Sequence, residues 1–240
     1  MLRFAGRCLI LLLGIYFYFA DRSVFAVLER GQFFSRFSPL HLLFFVWMAD
    51  MLSQLVPAKR NLALGSKKLF KQYFVPSQLK NSAAALKNYV LTTSRMAGNI
   101  LLIWTGLILL IGAFWHAGVL GNTELFMISV LFYVCDLICV LFWCPFRLLL
   151  KNRCCTTCRI FNWDHLMMFT PMVYVGSLYA ISLLLMSLIV WLSWELAVLM
   201  HPERFWWGSN MALKCDNCTD KLCTQYCQKL KNTAGEEKKE

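Results

Sequence analysis

Five long apolar runs constrain this chain more than any other feature. They occupy Phe4–Ala20, Pro39–Val56, Gly98–Val119, Phe126–Phe146 and Met167–Met200. A run of about 18 or more mostly apolar residues is what a helix needs to cross a bilayer core of about 30 Å. In water the same runs would leave far more apolar surface than one small domain can bury. Composition agrees: 59% of the 240 residues are hydrophobic and 15% charged, against about 45–50% and about 25% in soluble domains. Mean hydropathy is +0.55. A disordered chain, a soluble globular enzyme and a disulfide-rich miniprotein are all excluded. The expected fold is an all-α polytopic membrane protein with five transmembrane helices.

The organisation follows from the runs. Residues 1–57 hold two helices, 58–97 a basic connection, 98–200 three helices with a Cys-rich loop at 147–165, and 201–240 a Cys-rich tail. The first run begins like a secretory signal, with Arg3 and Arg7 ahead of its apolar middle. Cleavage after Ala20 would place bulky Tyr18 where a small residue is required, so an uncleaved anchor is expected. The fifth run, if helical throughout, would be roughly 51 Å long at 1.5 Å per residue. Ile181–Val190 offers no Gly, Pro or Asn for a turn, so one long helix is expected rather than two crossings.

Charge placement sets the sidedness. Lys59, Arg60, Lys67, Lys68, Lys71 and their neighbours up to Arg95 lie in one connection, and Arg147, Lys151, Arg153 and Arg159 in another. With five crossings these share a side with Arg3 and Arg7. The positive-inside rule then puts the N-terminus in the cytoplasm, in the cell membrane. The net charge of +11 is thus a lipid-headgroup and topology signal, not one for nucleic acid. Within 58–97, Leu62, Leu64, Leu69, Phe70 and Tyr73 interleave with lysines, as in an amphipathic interfacial helix region.

The 11 cysteines are clustered. Cys215, Cys218, Cys223 and Cys227 form a C-x2-C-x4-C-x3-C run, whose thiolates can converge on one tetrahedral ion. Zinc and an iron–sulfur cluster both suit it, and two disulfides are the alternative. Cys154, Cys155 and Cys158 form a half-site between Arg153 and Arg159, which are expected to lower the thiol pKa values. Cys135 and Cys139 share a helix face and are expected to act as packing.

Two sets of residues carry a resemblance. Phe142-Trp143-Cys144-Pro145-Phe146, Asn152 to Arg159 and Phe161 to Asp164 resemble a group of uncharacterised bacterial multi-pass membrane proteins, and His201 to Phe205 with the tail Cys run extend the match. The resemblance covers roughly the C-terminal 40% of the chain and implies no activity.

Three carboxyls, Asp50, Asp136 and Glu195, lie in apolar runs, where a charge costs about 2.5–3.5 kcal/mol at the helix centre. No Lys or Arg lies in the central part of any run to pair with them. A proton relay or cation path is one reading, and a protonated carboxyl bonded to a neighbouring helix the other. His41, His116 and His201 are expected at one membrane depth, as a shared metal, haem or quinone site requires. No Walker loop, G-x-S-x-G or H-E-x-x-H is present, so no enzyme class is assigned. The functional expectation is a Cys-ligated metal site with a role in electron transfer or thiol redox. A transporter or channel subunit, or an assembly scaffold with a protein partner, is the alternative.

Overall fold

The computed structural model describes residues 2–35, 37–56, 64–77, 83–152 and 154–214. Among them there is no β-strand, only one antiparallel bridge between Pro76 and Asn210. The α-helices are α1 (Leu2–Ala20), α2 (Pro39–Leu55), α3 (Leu64–Lys67), α4 (Ala83–His116), α5 (Asn122–Leu141), α6 (Phe146–Leu150), α7 (Asp164–Phe169) and α8 (Leu178–Met200). Three of them, α4, α5 and α8, are long and apolar enough to cross a membrane. At 1.5 Å per residue, 20 residues in α5 give about 30 Å, one bilayer core. A fourth crossing is counted if α1 and the 3-10 segment Arg22–Leu28 act as one span, although they meet at 109°. At 17 residues, α2 is apolar but shorter.

Local chemistry fixes the helix boundaries. Ser38 caps α2: its hydroxyl accepts from Leu40 N–H, Pro39 fills the first position, and the His41 ring accepts from Ser38 N–H. This is a capping box with imidazole in the usual Glu position. α5 ends at Leu141, ahead of Pro145, which cannot continue a hydrogen-bonded helix.

Two expectations are corrected. Residues 167–200 do not form one helix. α7 gives way to a 3-10 turn over Thr170–Tyr174 with Pro171 at its start, and Gly176 adopts φ +63° before α8 begins. Proline removes a helical donor, and glycine tolerates the left-handed turn that other residues resist. The third apolar run is also longer than expected. α4 starts at Ala83, so part of the basic connection belongs to that helix.

The chain divides into two compact units. The first comprises Met1–Val56, Leu102–Leu137 and Trp163–Trp191. Its core centres on Trp47, Met51, Phe126, Phe169, Tyr179 and Leu183, all essentially inaccessible. Trp47 meets Phe126, Tyr133 and Phe169 edge-on or tilted. The Tyr174 ring lies against Gly112, where any side chain would collide with it.

The second unit comprises Pro57–Leu101, Ile138–Asn162 and Leu192–Glu240. Trp194 is its buried centre, edge-on to Phe205 and donating to the Arg159 carbonyl at 2.8 Å. Asn210 accepts from Val75 N–H and donates to the Arg204 carbonyl. Met211 N–H donates to the Val75 carbonyl at 2.8 Å.

Candidate functional site

In the second unit the chain leaves α5 at Leu141, turns at Pro145 and enters the short α6. Cys144 therefore sits beyond α5, with its sulfur facing the first N–H groups of the next turn. A hydrogen bond from Cys139 brings the Cys144 thiol down to about 7. Burial opposes this, while the N–H groups of Phe146 and Arg147 and the Arg147 charge support it. Positive charge and oriented N–H groups around a partly exposed sulfur are the conditions that create a reactive thiolate. Cys139, expected to act only as packing, is the donor to that sulfur.

The loop cysteines behave differently from the expectation. Burial pushes Cys158 up to about 12 and also raises Cys155, even though Arg147 donates to the Cys155 sulfur at 3.6 Å. Arg159 does not activate them, because it is bound bidentately to Glu195 at 2.8 and 2.5 Å. Arg153 lies outside the described residues. Cys154 lies 2.9 Å from the Thr156 hydroxyl, and Asn152 accepts from both Cys154 N–H and Thr157. The loop is held by its own polar side chains.

Lys68, expected in the basic amphipathic connection, is 3% exposed. Its ammonium donates to the Cys158 carbonyl at 3.2 Å and sits over the rings of Trp194 and Phe205. Burial lowers its pKa to about 7.

In the first unit two of the carboxyls from the apolar runs find partners that the sequence conceals. Arg7 donates to Asp136 Oδ2 at 2.6 Å and to the Tyr133 carbonyl at 2.7 Å, with its guanidinium 4.0 Å above the Tyr133 ring. Asp50 Oδ2 lies 3.3 Å from His165 Nε2. Glu195 is held by Arg159 in the second unit, so each of the three carboxyls faces a basic side chain that lies outside the central part of an apolar run. The partners come from α1, from the short α7 and from a loop, 129, 115 and 36 positions away, so no local pattern reveals them.

His41 is a structural residue: Nδ1 accepts from Ser38, and Nε2 lies 2.7 Å from the Phe33 carbonyl. His116 packs against Trp115 and Tyr174, and His201 lies 3.4 Å from Glu203. Among the described residues, no three His, Cys, Asp or Glu side chains are grouped to hold a metal ion. That covers His41, His116 and His201 and also Cys154, Cys155 and Cys158. The tail run Cys215, Cys218, Cys223 and Cys227 lies outside the described residues. Comparison with protein-family models, curated proteins and solved structures finds no match for this chain.

Proposed function

We propose that the chain is an integral membrane thiol–disulfide redox protein in which Cys144 is the attacking thiolate and Cys139 the resolving thiol. The observation that carries this reading is the hydrogen bond between the two side chains at a turn rich in N–H groups, beside Arg147. The chemistry balances without a cofactor. Cys144 sulfur attacks one sulfur of a disulfide; the substrate S–S bond breaks, one half leaves as a thiolate and takes up a proton. Cys139 then attacks the Cys144 sulfur and releases the other half as a thiol. Two protein thiols are oxidised to a Cys139–Cys144 disulfide, and one substrate disulfide is reduced to two thiols.

The membrane setting of this proposal is five crossings, α1, α2, α4, α5 and α8, with the N-terminus cytoplasmic and the bilayer as the constant partner. The basic connection between α2 and α4 is taken to lie partly at the headgroup layer. The resemblance to uncharacterised bacterial multi-pass proteins fits this setting. A zinc or iron–sulfur site in the tail is a second element of the proposal, motivated by spacing alone.

The test is covalent trapping with oxidised glutathione. Cys139→Ala should accumulate a mixed disulfide at Cys144, wild type should resolve it to an internal disulfide, and Cys144→Ala should do neither. Equal labelling of wild type and Cys139→Ala would reject the resolving role. Metal content of anaerobically purified full-length protein decides the tail site.

A further inference from the structure

Cys139 and Cys144 are not the only thiols in their unit. Cys154, Cys155 and Cys158 follow α6 in the same unit, and all of them are free and partly exposed. Arg147 ties this loop to the Cys144 turn. Its N–H donates to the Cys144 carbonyl at 3.2 Å, while its guanidinium donates to the Cys155 sulfur at 3.6 Å. The same positive charge acts on the Cys144 sulfur. One side chain thus addresses two sulfurs from different segments, and those two thiols are within electrostatic reach of each other.

The loop also supplies a partner for Cys155. Cys155–Thr157 forms a 3-10 turn, and Cys158 N–H donates to the Cys155 carbonyl at 3.0 Å. A turn closed in this way brings its end Cα atoms within about 7 Å. Disulfides span Cα separations of about 4.4–6.8 Å, so Cys158 is placed to bond Cys155. Cys154 has its sulfur at the Thr156 hydroxyl instead, 2.9 Å away.

The two pairs differ in what supports their thiolates. Cys139, the N–H groups of Phe146 and Arg147 and the Arg147 charge favour the Cys144 thiolate. Burial disfavours the thiolates of Cys155 and Cys158. A dithiol whose reduced form is stabilised makes the more oxidising disulfide. Electrons therefore run from the loop pair to the Cys139–Cys144 pair.

We propose that Cys155 and Cys158 are a second dithiol that re-reduces the Cys139–Cys144 disulfide, with Arg147 positioning the Cys155 sulfur toward Cys144. This rests on the thiol–disulfide role of Cys139 and Cys144. In the first exchange, the deprotonated Cys155 sulfur attacks the Cys144 sulfur. The Cys139–Cys144 bond breaks, and Cys139 leaves as a thiolate and takes up a proton. In the second, the Cys158 thiol loses its proton to water and its sulfur attacks Cys155. The Cys144–Cys155 bond breaks, and Cys144 leaves as the thiolate that its own turn stabilises. The loop pair is oxidised to a disulfide and the Cys139–Cys144 pair is reduced, with no outside reductant. A protein with both pairs reduced thus holds electrons for two substrate disulfides.

The test mixes fully reduced full-length protein in detergent with one equivalent of oxidised glutathione, quenches it by alkylation and locates the disulfides by mass spectrometry. In wild type, Cys155–Cys158 should exceed Cys139–Cys144 by roughly tenfold or more, the ratio that a potential difference of about 30 mV produces. Cys144→Ala should lose the Cys155–Cys158 bond. Cys155→Ser should keep the oxidation at Cys139–Cys144, and Cys158→Ala should hold part of the protein at Cys144–Cys155; either variant serves if the other does not fold. Wild type oxidised at Cys139–Cys144 alone overturns the relay and leaves the role of Cys139 and Cys144 standing. A Cys155–Cys158 bond that forms as fast in Cys144→Ala as in wild type also overturns the relay. A Cys155→Ser protein without a Cys139–Cys144 bond overturns the role of that pair, and the relay with it.

Discussion

Asp50 and His165 face each other at 3.3 Å across 115 positions of sequence, one exposed and the other buried. This pairing makes stability depend on pH with a definite sign. Burial opposes the imidazolium, but Asp164 and Asp50 more than offset it and raise His165 from 6.5 to about 10. A raised folded-state pKa contributes stability that is complete below about pH 6.5 and is lost as pH rises toward 10. Thermal unfolding of wild type should show this decline, and His165→Gln should flatten it. A slope unchanged by His165→Gln would refute the assignment.

Lys68 has the opposite sign. Burial lowers it from 10.5 to about 7, so charging it in the fold is disfavoured. Stability is therefore lost as pH falls from about 10.5 through 7. Lys68→Met keeps the stem packed against Trp194 and Phe205 and removes the ammonium. The variant should be at least as stable as wild type at pH 6, measured by denaturant-induced loss of helicity in detergent. A marked loss of stability there would count against this account.

Arg7 and Asp136 are 16% and 28% exposed in their side chains. Removing one member leaves the other without its partner, at a cost of about 3 kcal/mol for a largely buried pair. Arg7→Leu and Asp136→Leu should each destabilise by that order, and the double variant by less than their sum. Full additivity in a double-mutant cycle would show the pair to be uncoupled.

Cys144 and Cys158 should differ widely in alkylation by iodoacetamide. With thiol pKa values of about 7 and about 12, only Cys144 is substantially thiolate at neutral pH. The rate ratio should exceed roughly a hundredfold, even though a thiolate of lower pKa is intrinsically the weaker nucleophile. Mass spectrometry of partially labelled protein reads this directly, and comparable labelling of both would remove the basis for the redox assignment.

Gly176 turns the chain between the 3-10 segment and α8 at φ +63°, and a Cβ there would lie 3.0 Å from Arg30 Nη2. Gly176→Ala meets both the left-handed penalty of about 1–2 kcal/mol and that contact. Its unfolding midpoint should fall accordingly. An unchanged midpoint would mean that the turn relaxes without cost.

The amino-acid sequence alone determined the all-helical class and the apolar segments of α4, α5 and α8. Hydropathy and helical length act over a few residues and are visible without folding. It also identified Asp50, Asp136 and Glu195 as residues out of keeping with their surroundings, because a charged group in an apolar run stands out locally. Tertiary structure decided what each of them meets. The pairs Arg7–Asp136, Asp50–His165 and Arg159–Glu195 join residues with no shared periodicity, and whether a Lys such as Lys68 is solvated or buried depends on what packs over it. Cys155 and Cys158 are less acidic than their neighbouring arginines suggest for the same reason. Arg159 lies beside Cys158 in sequence but gives its charge to Glu195 in space, whereas Cys144 gains its hydrogen bond from Cys139 only once the helix has ended and the chain has turned.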